Sequence, residues 1–540
     1  MLLTSGSTCS RAQQTLAPPA DAGGPITIRV DVAVRRHPIS PLVYGVSYAG
    51  ENAAALHCPI NRMGGNNTSR YNWRENADNR ANDYFFESIA DSDKTPGGRA
   101  LDFVRANRKA HTASMVTVPI LGWVARVNPD RSKRWSFSVA KYGAQQKTDA
   151  QWSPDSGNGV KADGSPLTGN DPRDANIAVT PAYMQPWIAQ LTQTFGRAAA
   201  GGVDYYLLDN EPAIWNGTHR DVFPVGVKMD DLFARMRDTS RMIKGVDPTA
   251  LTVGPEEWGW TGFLYSGYDS QWGGAHHWQG GSPDRDAHGG QEMMPWLLAQ
   301  FAREEKTGGK RLLDVFSLHY YPQGGEFGDD LSPQVQLRRN RSTRSLWDPA
   351  YVDETWIKEK VRLVPRMREW VDKYYPGTKI ALTEYSWGAE GNINGATAEA
   401  DVLGILGREG MDIANRWTSP GASTPTFKAM QMYRNYDGRN GGFGDTSVAC
   451  DVPDPDAVSA FAAQDGVAGA LTVMIVAKTS GVAPTPVTLS LAHFPGAKAG
   501  RVYQLTAANT ITRGPDLAVT AGNAKLTVPP QSITLVVLAP

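Results

Sequence analysis

From about residue 37 to 445, short apolar runs alternate with stretches of helical periodicity. After about residue 446 only β-type runs remain, separated by Gly, Pro and Asn turns. Several of the apolar runs also end abruptly in carboxylates or glycine pairs. Together these observations predict an α/β fold: a TIM-like (β/α)8 barrel followed by a C-terminal β-sandwich. The predicted divisions are a lead-in over 1–24, a strand within 25–36 that joins the sandwich, the barrel over 37–445 and the sandwich over 446–540.

The first element, Pro25 to Arg35, alternates Ile26, Ile28, Val30, Val32 and Val34 with polar positions, as a half-buried strand does. The barrel strands are expected at Val43–Ser47, His57–Met63, Ser114–Gly122, Tyr205–Glu211, Ala250–Gly254, Leu312–Leu318, Lys379–Gly388 and Phe427–Tyr433. Helices are expected near 99–110, 183–199, 230–244, 292–305, 353–374 and 397–409, with Pro365 interrupting the fifth. Thr180-Pro181 supplies an N-cap and a proline at the first helical position. Residues 123–180 are rich in Gly, Pro, Asp and Asn, and a loop of that length on a barrel rim is a candidate functional segment.

The chain has 540 residues with 54 basic and 55 acidic side chains, a net charge of −1, which gives no broad basic face for nucleic acid. No stretch approaches the ~20 apolar residues of a membrane span. Three cysteines, Cys9, Cys58 and Cys450, make no disulfide scaffold, although one Cys58–Cys450 bridge is left open. Met1 to Cys9 is too short for a signal peptide and reads as a lead-in or the remnant of one. Sixteen tryptophans exceed what a core alone needs, and flat aromatic faces are what sugar rings stack on.

The chemistry centres on Tyr205-Tyr206-Leu207-Leu208-Asp209-Asn210-Glu211-Pro212. An apolar strand runs into two carboxylates, and Pro212 ends its pairing. Glu384 stands in the same position at the end of the seventh strand. Barrel rims at strand C-termini carry the chemistry, and strands four and seven face each other across that rim. Two opposed carboxylates are what glycosidic cleavage requires. Glu211 is the expected acid/base. Glu384 is the expected nucleophile, held ionised by Arg62 and Tyr321 with His319 beside it. Asn210 is placed to bond the sugar, Arg62, His319 and Tyr321 are expected substrate contacts as well, and so are Trp73, Trp258 and Trp387, whose flat faces suit stacking.

Glu256-Glu257 is a competing pair, but adjacent strand residues point to opposite sides. One of them is read as a rim or structural carboxylate. His276, His277 and His288 match no compact zinc spacing. The acidic segment 155–176 lacks the EF-hand pattern, so a structural calcium or other divalent ion stays open there and no catalytic cofactor is expected.

Asp209 to Trp215 with Thr218 to Val222, Gly254 to Trp260, Ser317 to Pro322, Thr383 to Gly388, and Arg62 to Asn66 followed by Tyr71-Asn72-Trp73 form an ordered set. That set resembles glycoside hydrolase family 44. The resemblance implies a barrel with a β-sandwich and retaining, endo-acting cleavage of β-1,4-glucans including xyloglucan. It carries the acid/base role onto Glu211 and the nucleophile role onto Glu384. Asn67 and Arg74 depart from the family's usual Arg and Glu, which bears on subsite preference. Other barrel glycosidases (xylanase, mannanase, arabinofuranosidase) and a non-catalytic glycan-binding protein are the alternatives. The expected partner is a polysaccharide, met by a secreted monomer with no nucleic acid or membrane.

Overall fold

The computed structural model describes residues 25–540, so the lead-in and Cys9 lie outside the described residues. Eight parallel strands close a barrel: β1 (Gly45–Ser47), β2 (Ile60–Met63), β3 (Ala113–Val118), β4 (Tyr205–Leu208), β5 (Leu251–Glu257), β6 (Val315–Tyr320), β7 (Lys379–Tyr385) and β8 (Ile413–Arg416). Ile60, Met115, Leu207, Val253, Val315, Ala381 and Ile413 form a cluster that fills the barrel interior. Neighbours on the other face, such as Tyr206, Leu208, Phe316 and Leu382, pack under the surrounding helices. Burial on both faces is why these strands read as continuous apolar runs.

The eighth strand is not where the sequence places it. Phe427–Tyr433 lies inside the helix Pro425–Arg434, and Ile413–Arg416 closes the ring against β1. Thr424 caps that helix by accepting from the Phe427 N–H at 3.2 Å, with Pro425 at the first helical position. Phe427, Met430 and Tyr433 then fall on one buried face at i, i+3, i+6. A short apolar run fits either period, and the Thr-Pro start decides for helix. The helix expected over 353–374 begins only at Leu363, because Asp353 turns the preceding segment by accepting from the Thr355 N–H. Pro365 therefore sits in the first turn, where its missing N–H breaks no helical bond.

Ile26–Asp31 pairs in parallel with Thr485–Ala492 and antiparallel with Thr446–Asp451, so the N-terminal strand is built into the C-terminal β-rich layer. Helix Ile393–Arg408 is buried between the barrel and this layer. Gly404 lets it approach, since a Cβ there would lie 2.2 Å from the Phe461 ring. Asp401 on the same helix accepts from Lys478 Nζ at 2.6 Å and from Thr343 Oγ1 at 2.6 Å, a buried ion pair across the seam. Cys58 and Cys450 are free thiols buried in two separate cores, one in the barrel and one in the sandwich, so they are not bridged.

Candidate active site

Strands β2, β4, β5, β6 and β7 each deliver one ionisable group to the centre of the rim. Arg62, from β2, is fully buried and donates to Glu384 Oε1 at 2.7 Å, to Glu256 Oε2 at 2.9 Å and to Asn210 Oδ1 at 3.1 Å. Tyr321 Oη donates to the other oxygen of Glu384 at 2.8 Å. His319, from β6, lies 3.0 Å from Glu211 Oε1 through Nδ1 and 3.3 Å from Glu256 Oε2 through Nε2. It is also 3.6 Å from Glu384 Oε2. One oxygen each of Glu211 and Glu384 and a His319 ring nitrogen all fall within 4.8 Å of one another.

The backbone is bent to make this possible. Asp209, Glu211 and Glu256 all have positive φ (75°, 48° and 60°), a cost that clusters at functional sites. Asp209 accepts from the Ile120 and Leu121 N–H groups at 2.5 and 3.0 Å, fixing the end of β4. The Glu211 N–H donates to the Glu256 carbonyl at 2.9 Å. The register between β5 and β6 shifts between Pro255 and Glu257, a bulge that re-aims the side chains. Glu256 thereby points to Arg62, His319 and Thr383, while Glu257 accepts from the Ala213 and Trp258 N–H groups. Gly64 and Gly65 have separate reasons. A Cβ at 64 would lie 2.3 Å from the Arg62 guanidinium, and one at 65 would lie 2.5 Å from the Trp417 ring.

Charge balance assigns the protons. Burial alone would lower the His319 imidazole, but Glu384, Glu211 and Glu256 override it and push it up to about 10. Both ring nitrogens face carboxylates, as an imidazolium requires. Burial would raise Glu256, but Arg62 and then His319 hold it below the usual range. Burial raises Glu211, and the Glu384 charge raises it further. Two cations thus face three carboxylates, and the site is neutral when Glu211 carries a proton. The arrangement supplies one acid and one ionised carboxylate on opposite sides of a gap that a glycosidic oxygen can enter.

Glu257 makes no ion pair, and the nearby His319 lowers it less than burial raises it. Burial pushes its carboxyl up to about 8, with Glu211 adding to the effect. A group raised in the folded state stabilises fully below its unfolded value near 4.5, and that stability is lost as pH rises through about 8. Glu257→Gln keeps the shape without the titration. We expect melting curves of the two proteins to coincide near pH 5 and the variant to melt higher at pH 9; parallel curves at both pH values would contradict this.

The predicted sugar contacts divide. Asn210 stays at the centre, and Tyr321 and Trp258 are half-buried at the rim. Arg62 and His319 are wholly buried beneath the carboxylates and orient them. Trp387 is a correction: it is 1 % exposed, with Nε1 donating to Ser342 Oγ at 2.9 Å and its ring against Tyr320 and Tyr385. No sugar can stack on it. Trp73 is also used in packing, since Nε1 donates to the Tyr183 carbonyl and Arg74 lies over the ring. The aromatic that does stand beside the site is Trp417, at the end of β8, with the Arg62 guanidinium 5.7 Å from its ring centre and Tyr48 on its edge. Misplacing β8 hid it. The signal was the short run Ile413-Ala414-Asn415-Arg416-Trp417 between Gly410 and Pro420.

The acidic groups of 155–176 do not converge on a cation site. Asp155 accepts from Trp135, Ser138 and the Ala140 N–H, Asp171 pairs with Arg173, and Asp174 with Lys141. His276 stacks on Trp272, while His288 bonds Asp284 and Asp230. Glu211, His319 and Glu384 lie close together, but Arg62 and Tyr321 already take both oxygens of Glu384.

A parallel eight-stranded barrel with paired carboxylates on its C-terminal rim defines the class of barrel glycoside hydrolases. The family model of glycoside hydrolase family 44 matches residues 77–324. The bifunctional glucanase-xylanase CelM2 from a metagenome library is 54 % identical, with 95 % of this chain and 99 % of that one covered at a TM-score of 0.94. A family 44 xyloglucanase from Paenibacillus polymyxa, solved with xyloglucan, is 29 % identical over 96 % of this chain and 100 % of that one, TM-score 0.80. The beta-mannanase/endoglucanase A of Caldicellulosiruptor saccharolyticus is 29 % identical and the endoglucanase A of Paenibacillus lautus 30 %, each over 82 % of this chain. The chain spans 33 % and 62 % of the lengths of those two relatives. The chain belongs to glycoside hydrolase family 44.

Proposed function

We propose that this chain is a retaining endo-β-1,4-glucanase that cleaves unsubstituted glucan and xyloglucan. The observation that carries the reading is that one oxygen of Glu211 and one of Glu384 lie within 4.8 Å of each other across the rim, beside His319, which leaves no room for a water between them. Retaining enzymes hold their carboxyls about 5–5.5 Å apart and inverting ones about 6.5–9.5 Å, since inversion needs room for a water. In the first step Glu384 attacks the anomeric carbon, the glycosidic C–O bond breaks, and the Glu211 proton passes to the leaving oxygen. Glu384 is neutral once esterified, so the charge that raised Glu211 is gone and Glu211 remains ionised. It then takes a proton from water as the water displaces Glu384. The two carboxyls and the cations that bias them complete this cycle, and no metal step is required. A polymer of this kind is met outside the cell, so we place the enzyme there, acting as a monomer. Among the described residues no helix is long and apolar enough to cross a membrane.

A second activity on xylan is favoured by the 54 % identical relative CelM2, a bifunctional glucanase-xylanase. Reducing-sugar release from xyloglucan, carboxymethylcellulose, xylan and mannan tests both readings. Glu211→Gln should lose most of its activity on every polysaccharide the parent cleaves. In Glu211→Ala, azide should yield a β-configured glycosyl azide. Undiminished release by the Gln variant, or an inverted azide product from the Ala variant, would overturn the assignment.

A further inference from the structure

Glu256 lies near the end of β5 with no exposed surface, so it touches no substrate. It is nevertheless bonded to both cations of the site. Oε1 accepts from Thr383 Oγ1 on β7 at 2.8 Å, which fixes the plane of the carboxylate. Oε2 accepts from Arg62 Nε at 3.1 Å and Nη2 at 2.9 Å, and it faces His319 Nε2 at 3.3 Å. Arg62 Nη2 and His319 Nε2 lie 3.4 Å from each other. Two cations that close repel strongly in a dry site unless an anion bridges them. Glu256 Oε2 is that bridge. Against the effect of burial, Arg62 and then His319 hold its carboxyl below the usual range.

The other charges around the pair belong to the reaction. Arg62 reaches on to Glu384, and His319 to Glu211 and Glu384. Glu257, from the same strand, accepts from the Ala213 and Trp258 N–H groups instead. Among the described residues, Glu256 is thus the one anion on these cations that does not itself react. Its charge balances both halves of the cycle. In the free enzyme Glu256 and Glu384 offset Arg62 and His319 while Glu211 holds its proton. In the glycosyl-enzyme Glu384 is an ester, and Glu256 and the ionised Glu211 offset the same two cations. Without Glu256 each state carries one positive charge too many, and Glu211 and His319 together give up a proton at lower pH.

We propose that Glu256 is a positioning residue for the reaction, a permanent counterion that holds Arg62 and His319 together beneath the rim and leaves the proton on Glu211 for the departing oxygen. The proposal rests on the double-displacement reading above. Glu256→Gln keeps the shape and removes the charge. The alkaline limb of its kcat/KM profile should move to lower pH by about one unit, because the remaining cations favour loss of the Glu211 proton. Glu256→Asp, which keeps the charge, should stay near the parent's limb. Leaving-group dependence gives a second readout, on 2,4-dinitrophenyl and phenyl β-cellotetraosides. Dinitrophenolate leaves well without a proton, whereas phenolate depends on the acid. The loss of kcat/KM in Glu256→Gln should be about 10-fold greater for the phenyl substrate, at the low end of what general acid catalysis supplies. The parent supplies a check that needs no variant: nitrogen NMR of histidine-labelled enzyme should show both His319 ring nitrogens protonated at pH 7. An unmoved alkaline limb, equal losses on the two substrates or a neutral His319 ring in the parent each overturn the proposal. A parent that cleaves neither the aryl glycosides nor xyloglucan overturns the glucanase reading instead.

Discussion

Glu384→Gln is expected to lower kcat on β-1,4-glucan by about four to six orders of magnitude, the scale on which losing a covalent nucleophile acts. The amide is isosteric, its oxygen still accepts from Arg62 and its NH2 can donate to the Tyr321 hydroxyl, so the rim should stay folded. What goes is the negative charge that attacks the anomeric carbon and that raises Glu211. Steady-state rates on soluble xyloglucan check the loss, with circular dichroism to show the fold intact. In Glu384→Ala, azide should restore turnover and give an inverted glycosyl azide. A Gln variant within 10-fold of the parent would remove Glu384 from the mechanism.

Arg62→Met is expected to give the largest loss of stability, about 3–5 kcal/mol, because it strands buried carboxylates without their cation. Glu256 and Glu384 both lean on this one guanidinium, at 2.9 and 2.7 Å. Unpaired, each must take up a proton, which in Glu384 removes the ionised carboxylate, or stay charged in a dry site at a cost in stability. The double variant Arg62→Met/Glu256→Gln should recover part of the stability, since one of the stranded charges is gone, and recover none of the activity. Thermal melts of the single and double variants read the first effect and kcat the second. A single variant as stable as the parent would mean that Arg62 is not the cation that holds the rim together.

Much of the fold was legible because barrel strands are buried on both faces and end at polar residues. Tyr205–Leu208 before Asp209 and Lys379–Leu382 before Glu384 show that boundary in composition alone. β8 was not legible. Ile413–Arg416 is four residues long, and the competing run Phe427–Tyr433 is equally apolar. Only closure of the hydrogen-bonded ring between β7 and β1 decides between them, and closure is a property of the whole barrel. Trp417 was lost with that strand. The Glu256-Glu257 pair was half legible: the alternation rule sends one inward, but the bulge at Pro255 chooses which and sets it against Arg62 and His319.

The sequence by itself determined which carboxylates are proposed to react, since each stands at the C-terminal end of a buried strand. It also determined that Glu211 and Glu384 come from strands on opposite sides of one rim. Tertiary structure alone decided which rim aromatics are exposed and that Arg62 and His319 hold Glu256 as well as Glu384. Trp387 and Trp356 are the same residue type on rim segments, yet one is folded into the core under Ser342 while the other stands 53 % exposed with its N–H tied to Gln323. Burial and ionisation depend on neighbours brought together from across the chain, and such neighbours leave no local period or spacing behind.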